Sequence, residues 1–408
     1  MKITIINNIY APYDRGGAEQ VVKKTIQELI KKGHQVVLIT GTPESEECVK
    51  QSEHLTIYRI KPKNIFFYTS AHKFNPLVRL IWHGLNMVNI FAVKKIKTIL
   101  KNEQPDVVHT HNLMGLSFLI PRLIRFMKLY HVHTIHDVQL VEPSGMILKQ
   151  KEHSWRYNGL PTKIYAWCTK TLFGSPDVVI SPSQFLINFY VSRGFFTQSN
   201  CVVVRNPIPF SREFFVSSTF DKNSKATDDS KKETQQQISL LCVGQIEKHK
   251  GVETVVRAVM QSDRDNIKLV ILGSGSELER LSVLAKDDRR ITFVGRATRE
   301  VVASYFLQSD LTVVPSLCYE NSPTVIFESF FFGVPVLASK MEGIAELIEE
   351  GKNGITFEAG NVEALQKQIA TLSHKQLKQM SGNAKEVITK MKKSAYIDQL
   401  MDLYRLPR

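Results

Sequence analysis

The sequence predicts an α/β protein built from two doubly wound domains, and three observations carry that prediction. Short apolar runs alternate with amphipathic helical stretches over the first 210 residues, a polar break follows, and the alternation restarts at Ile238. Apolar strands separated by helices imply parallel sheets covered on both faces. The length of 408 residues fits, because such a chain is expected to divide into two or three domains.

The first domain spans residues 1–210. It opens with the strand KITIINNIY, the loop APYDRGGAE and a helix from about Glu19 to Lys32, stopped by Gly33. QVVLIT (Gln35–Thr40), DVVHTH (Asp106–His111), YHVHTIH (Tyr130–His136) and DVVISPS (Asp177–Ser183) are its further strands. FDKNSKATDDSKKETQQQ (Phe220–Gln237) has almost no core-forming residue, so 211–237 reads as a polar linker. The second domain, 238–389, holds strand candidates at Ile238–Gly244, Ile267–Gly273, Ile291–Gly295, Leu311–Ser316 and Val334–Ser339. The closing segment AYIDQLMDLYRL predicts an amphipathic helix, about 390–408, that crosses back to the first domain. In open α/β sheets ligands bind beyond the C-terminal ends of the strands. Two such domains facing each other would place a small-molecule site in the cleft at their boundary.

Bulk composition narrows the function classes. Hydrophobic residues at 43% and charged residues at 23% suit a globular protein with sizeable cores. The N-terminus lacks the apolar run of a signal peptide, and no stretch of eighteen strongly apolar, charge-free residues is found, so no membrane-spanning helix is expected. The five cysteines are scattered and form no C-x-x-C pair, which argues against a zinc site or disulfide framework and for a reducing cytoplasm.

The net charge of +14 is uneven: His54–Asn102 holds nine Lys or Arg and no Asp or Glu, with IFFY (Ile65–Tyr68), Phe74, Trp82 and Phe91 interleaved. That pattern suits an anionic membrane surface or a phosphate-bearing partner; the alternative is a helix packed on its own domain with a solvated basic face. Nucleic acid is not expected, since no helix-turn-helix, zinc or RNP-type signature accompanies the charge.

One segment, YENSPTVIFESFFFGVPVLAS (Tyr319–Ser339), places Glu320 and Glu328 in apolar surroundings, where a carboxylate needs a polar partner. Ser322 reads as a helix N-cap, Pro323 as the first helical residue and Gly333 as the stop. The amides near Ser322–Val325 would then form a phosphate site at a helix N-terminus. Eight helical residues would separate the two carboxylates by roughly 12 Å of backbone. Hydrolytic carboxyl pairs stand about 5 to 9.5 Å apart, so a glycosidase pair is disfavoured. The better reading is one elongated ligand, with phosphate on the helix N-terminus, a ribose diol on Glu328 and further polar groups on Glu320. That describes a nucleotide diphosphate-sugar.

Glu320-x7-Glu328 followed by FFFGVPVLAS and EGIAELIEEGKNG (Glu342–Gly354) resembles the donor site of retaining glycosyltransferases of family 4, with the GT-B fold of two Rossmann-like domains. LLCVGQIEKHKGVETVVRA (Leu240–Ala258) resembles the family's strand-turn-helix for the diphosphate. APYDRGGAE resembles its N-terminal glycine loop, and PDVVHTHN, VHTIHD and VISPSQF its first-domain landmarks. The resemblance runs from the first strand to about Gly360 and rests on the order and spacing of all these motifs.

The resemblance implies that Lys250 contacts the diphosphate and stabilises the leaving group, that Glu328 binds ribose, and that Glu320 touches the transferring sugar. Asn321, Ser322, Pro323 and Thr324 would cradle phosphate mainly through backbone, and Gly16 and Gly17 would let the first-domain loop approach it. Gln245 stands where the family usually has arginine, so it can donate hydrogen bonds but brings no charge. Arg205 is a candidate substitute cation. His111 and His136, with Asp137, are candidates for the reaction centre, while His109, His131 and His133 read as structural. No metal or other cofactor is expected.

The implied reaction is transfer from a nucleotide sugar to an acceptor hydroxyl with retention, in cell-surface polysaccharide or glycolipid synthesis. A lipid-linked acceptor and a peripheral position on the inner face of the membrane follow from the basic window. A catalytically weak sugar-nucleotide-binding protein of the same fold is the alternative. A dinucleotide-dependent dehydrogenase is disfavoured, because the nearest match to its fingerprint, GSGSEL (Gly273–Leu278), lacks the third glycine.

Overall fold

The computed structural model describes residues 1–13, 16–208, 236–393 and 396–405, so nearly all of the expected linker lies outside the described residues. The chain forms two compact units. The first comprises Met1–Ile147, Lys151–Pro207 and Ala395–Arg408; the second comprises Leu148–Gln150 and Ile208–Ser394.

The first unit is built on strands β1 (Lys2–Ile6), β2 (Gln35–Gly41), β3 (Glu47–Ser52), β4 (Leu55–Ile60), β5 (Val107–Thr110), β6 (Tyr130–Thr134), β7 (Val178–Ser181) and β8 (Asn200–Val203). Their order is β3-β4-β2-β1-β5-β6-β7-β8, parallel except for the β3–β4 pair. The sequence reading missed β3, β4 and β8. Strand β3 is an antiparallel edge whose ECVKQS is exposed throughout, so it shows no apolar run. It corrects the expectation of a purely parallel sheet.

Helix α1 (Gly17–Lys31) covers one face and buries Val22, Ile26 and Leu29 against Ile3, Ile5, Val36 and Leu38 of the sheet. Helices α2 (Pro76–Met87), α3 (Ile90–Glu103), α4 (Ile120–Phe126), α5 (Trp155–Asn158), α6 (Leu160–Phe173) and α7 (Gln184–Val191) follow in the crossovers. Residues 76–103 form a stretch long and apolar enough, by length and composition, to reach across a membrane, and most of it is not buried. The expectation is of no eighteen-residue stretch both strongly apolar and free of charge, and Arg79 stands inside this one. The stretch is broken between α2 and α3 by Val88 and Asn89, the latter capping α3 by accepting from Ala92 N.

The second unit has strands β9 (Ile238–Val243), β10 (Ile267–Leu272), β11 (Ile291–Gly295), β12 (Leu311–Val314), β13 (Val336–Ser339) and β14 (Gly354–Phe357) in the parallel order β11-β10-β9-β12-β13-β14. Helices α8 (Val252–Met260), α9 (Leu278–Leu284), α10 (Arg299–Gln308), α11 (Thr324–Phe331), α12 (Glu342–Ala345), α13 (Val362–Thr371) and α14 (His374–Lys393) complete it.

The last helix, α15 (Tyr396–Tyr404), belongs to the first unit and buries Ile397, Leu400, Met401 and Tyr404. Its register is fixed by polar contacts: the Tyr396 hydroxyl meets Thr25 at 2.8 Å, and Tyr130 Oη donates to the Leu403 carbonyl at 2.9 Å.

Candidate active site

In each sheet the strand order reverses at one place, β1 beside β5 and β9 beside β12. Loops leaving such neighbouring strands diverge and open a crevice at their carboxyl ends. Gly16, Gly17 and His111 follow β1 and β5, and Gln245, Lys250 and residues 320–324 follow β9 and β12.

In the second unit, the loops after β9 and β12 lie side by side, with Leu317 N donating to the His249 carbonyl at 2.9 Å. Gly251 permits that approach: its φ is 68°, and an added Cβ would lie 1.9 Å from the Pro315 carbonyl oxygen. Lys250 Nζ thereby donates to Glu320 Oε1 at 2.6 Å, and Ser316 Oγ donates to the same oxygen at 2.9 Å. Burial works against the Lys250 charge, but the Glu320 carboxylate outweighs it and raises the lysine pKa. Behind the pair, Gly343 of α12 packs so close that a Cβ would lie 2.1 Å from the Glu320 carbonyl oxygen. Lys250 and Glu320, expected to serve different parts of a ligand, therefore form one ion pair here.

The turn before α11 differs from the expectation in one detail. The helix begins at Thr324, and Pro323 is the N-cap, with ψ of 123° holding it outside the helix. Ser322 therefore does not cap it. Asn321 and Ser322 are buried, Pro323 and Thr324 are half-buried, and Gln245 is exposed on the loop after β9.

Along α11, Ile326, Phe327, Ser329 and Phe330 turn into the core. Ser329 Oγ donates to the Thr312 hydroxyl and to the Val334 carbonyl, each at 2.7 Å, which pins the helix to β12. Glu328 falls on the half-buried stripe with Thr324 and Phe331, while Phe327 and Phe330 turn into the core. Burial pushes its carboxyl up to about 7, partly opposed by the Arg299 guanidinium. Neither Arg299 nor Ser316 was singled out in the sequence, because each reaches the site from a separate loop or helix start.

In the first unit, Asn8 N donates to the Asn112 carbonyl at 2.8 Å, and so joins the loops after β1 and β5. Gly16 is the N-cap of α1, and its amide donates to Glu19 Oε2 at 2.7 Å. Gly16 and Gly17 are both exposed at this corner. His111 Nδ1 meets His136 Nε2 at 2.9 Å. His136 is half-buried, whereas His111 is fully buried behind it.

Burial lowers the His136 pKa to about 4 and holds His111 well below its ordinary value, so both rings are neutral at pH 7. Asp137 accepts from Gln139 N at 2.8 Å. Burial pushes its carboxyl up to about 6, the Gln139 hydrogen bond opposes this, and the Glu19 charge adds to it. Arg205 Nη1 donates to the Pro182 carbonyl of the same unit at 2.9 Å, which places it on the first unit's own backbone.

The remaining histidines are held structurally. His109 bridges Tyr404 Oη at 2.6 Å and Thr134 Oγ1 at 2.7 Å, while His131 and His133 share the Thr110 hydroxyl at 2.8 and 2.9 Å. Among the described residues, no group of three or more His, Cys, Asp or Glu is arranged to hold a metal ion.

Family comparison agrees with this architecture. A model described as Glycosyltransferase Family 4 matches residues 15–212, and one described as Glycosyl transferases group 1 matches residues 223–387. Between them they span most of the chain, one glycosyltransferase model on each half, and the fold is that of the GT-B glycosyltransferases. It is similar to a 42.6 kDa protein in the cps region of Klebsiella pneumoniae, 25% identical over 361 residues that cover 85% of this chain and 87% of that one. It is also similar to the lipopolysaccharide core biosynthesis glycosyltransferase LpsE of Rhizobium meliloti, 26% identical over 224 residues, 51% of this chain and 64% of that one. Among solved structures, Anabaena HepE in complex with UDP and glucose superposes with a TM-score of 0.70 over 100% of both chains, at 16% identity.

Proposed function

We propose that this glycosyltransferase moves a sugar from a nucleotide-diphosphate donor to an acceptor hydroxyl with retention at the anomeric carbon. The observation that carries the reading is the Lys250–Glu320 pair at the reversal point of the second sheet, immediately before the α11 N-terminus. Lys250 supplies a fixed positive charge where the diphosphate leaves, an interaction that strengthens as negative charge develops. The α11 amides receive phosphate oxygens, Glu328 accepts from the ribose diol, and Glu320 turns to the sugar. The bond from the anomeric carbon to the phosphate oxygen breaks as the acceptor oxygen bonds on the same face, and the leaving phosphate takes the acceptor proton. On the first unit, neutral His136 offers a hydrogen-bonding group to the acceptor side, with His111 fixing its ring. No metal takes part in this scheme.

The relatives from a cps region and from lipopolysaccharide core synthesis support a role in cell-surface polysaccharide or glycolipid assembly. The acceptor in this reading is lipid-linked and is met at the inner face of the membrane.

A thermal-shift panel of UDP, GDP, ADP and NAD, each with and without EDTA, tests the donor site. A ligand at 100 times its Kd adds about 2.7 kcal/mol to stability. Stabilisation by one nucleoside diphosphate, indifferent to EDTA and lost in Glu328→Ala, is expected; no shift with any of them would overturn the reading. The uncharged Gln245 favours a second reading, a sugar-nucleotide binder without turnover, and binding without product from any sugar nucleotide would put it first.

A further inference from the structure

The first unit turns an apolar surface outward. Helix α2 buries Trp82 and Asn86 but leaves Leu77, Leu80, Ile81 and Leu85 between 47% and 73% exposed. Ile90 and Phe91, in the first turn of α3, are each 56% exposed. Helix α6 repeats the pattern: Tyr165, Thr169 and Phe173 are buried, while Leu160, Ile164 and Trp167 line the opposite stripe at 52% to 68% exposure. A helix of a water-surrounded protein carries its apolar stripe inside and polar residues outside. These helices carry a second apolar stripe on the outside.

The stripes belong to one helical layer, because α3 packs on α4 and α4 on α6. Phe126, the last residue of α4, is 75% exposed, and Lys97 lies 5.4 Å over its ring. Cations border the apolar residues: Lys63 sits 4.7 Å over the Phe91 ring, and Arg79, Lys94 and Lys163 are exposed. Meanwhile α2 is tied down from inside, Trp82 Nε1 donating to the Phe66 carbonyl at 2.7 Å and Asn86 Oδ1 accepting from Gly115 N at 2.6 Å. It therefore lies along a surface and does not cross a bilayer.

We propose that α2, the first turn of α3, and α6 form a monotopic docking surface for an anionic lipid bilayer. Leucine, isoleucine, phenylalanine and tryptophan side chains enter the headgroup boundary while the surrounding lysines and arginines meet anionic headgroups. A second copy of the chain is a poorer occupant, since a two-fold interface sets a patch against itself and would oppose the two basic rims. The inference rests on the membrane-side acceptor reading above and adds α6, which lies outside the basic window, as half of the contact.

Flotation of the full chain with phosphatidylcholine vesicles, with and without phosphatidylglycerol, is the test. Trp155 and Trp167 are 74% and 63% exposed and Trp82 is buried, so docking is expected to shift tryptophan emission to the blue. Leu80→Ser/Ile81→Ser and Ile164→Ser/Trp167→Ser replace outward side chains, so each is expected to keep the wild-type melting temperature. Each is also expected to weaken flotation about tenfold or more, and high salt to weaken it further. No flotation on phosphatidylglycerol vesicles, unchanged flotation of both double variants, or a dimer in light scattering that the variants dissociate would each overturn the proposal. A wild-type protein that keeps its nucleoside-diphosphate shift but ignores vesicles sinks the docking surface alone; one that loses the shift sinks the donor-site reading.

Discussion

Lys250 and Glu320 meet at 2.6 Å although 70 positions separate them in the chain. Their side chains are only 31% and 14% exposed, so neither charge is well served by water when its partner is removed. Lys250→Ala leaves Glu320 with Ser316 as a remaining donor, and a stability loss of about 1–3 kcal/mol is expected. The same change removes charge stabilisation from the leaving diphosphate, with an expected fall in kcat of about 10²–10³. Glu320→Gln keeps an acceptor for Lys250 and so should cost less stability while still impairing transfer. Melting curves and steady-state rates on both variants check this, and equal stability of Lys250→Ala and wild type would show that the pair is only a surface contact.

Glu328 gives a pH dependence of definite sign. Its folded pKa of about 7 lies above the ordinary 4.5. Between those values the folded chain holds a proton that the unfolded chain has released, so this residue's contribution to stability declines as pH rises from 4.5 through 7. A ribose diol donates both hydroxyls only to the ionised carboxylate. Donor affinity should therefore rise with pH and level off above about 7, and below that it should fall by up to about tenfold per unit. Glu328→Gln should flatten both the stability and the affinity trends. Calorimetric titration of the selected nucleoside diphosphate across this range is the check, and a flat wild-type profile would remove Glu328 from the ribose site.

The strands that form the sheet centres were legible because a buried parallel strand is a short apolar run, as in VVLI of β2 or LVIL of β10. Strand β3 was not, since an exposed edge carries ECVKQS and no periodicity. The glutamates and the lysine of the site could be picked from the sequence because charge is anomalous beside buried strands and an apolar helix. Their pairing was not legible, because it depends on Gly251 bringing two loops into backbone contact, and a glycine in sequence does not name its neighbour. For the same reason the outward stripe of α6 was invisible: LPTKIYAWCTKTLF has apolar residues on both sides, and only packing shows that Tyr165 and Phe173 are the inner ones.

His111 and His136 should give a kinetic signature without an ionisation near neutrality. Both imidazoles are kept neutral by burial, with His136 titrating at about 4. The rate of transfer is therefore expected to show no limb near 6.5 from either. His136→Ala should lower kcat about 10²-fold with a small change in melting temperature, because the ring is half-buried. In the proposed site His111 orients His136, so His111→Gln, which keeps a hydrogen-bonding group, should recover more activity than His111→Ala. Equal activity of the two His111 variants would reduce that residue to packing.

Tyr404 and His109 tie the last helix to the first sheet. The Tyr404 hydroxyl is 2.6 Å from His109 Nδ1, and both side chains are buried, with Thr134 satisfying the other ring nitrogen. Tyr404→Phe removes one partner and leaves a buried imidazole nitrogen unpaired, which costs about 1–3 kcal/mol. In a unit of this size each kcal/mol lowers the melting temperature by about 2–4 °C. Tyr396→Phe should cost less, because Thr25 Oγ1 still donates to the Val21 carbonyl at 2.8 Å. Neither variant touches Lys250, Glu320 or Glu328, so the shift on adding the nucleoside diphosphate should survive in both. A Tyr404→Phe protein as stable as wild type would mean that the hydrogen bond to His109 adds nothing to the apolar contacts of Ile397, Leu400 and Met401 and the polar contacts of Tyr396 and Tyr130.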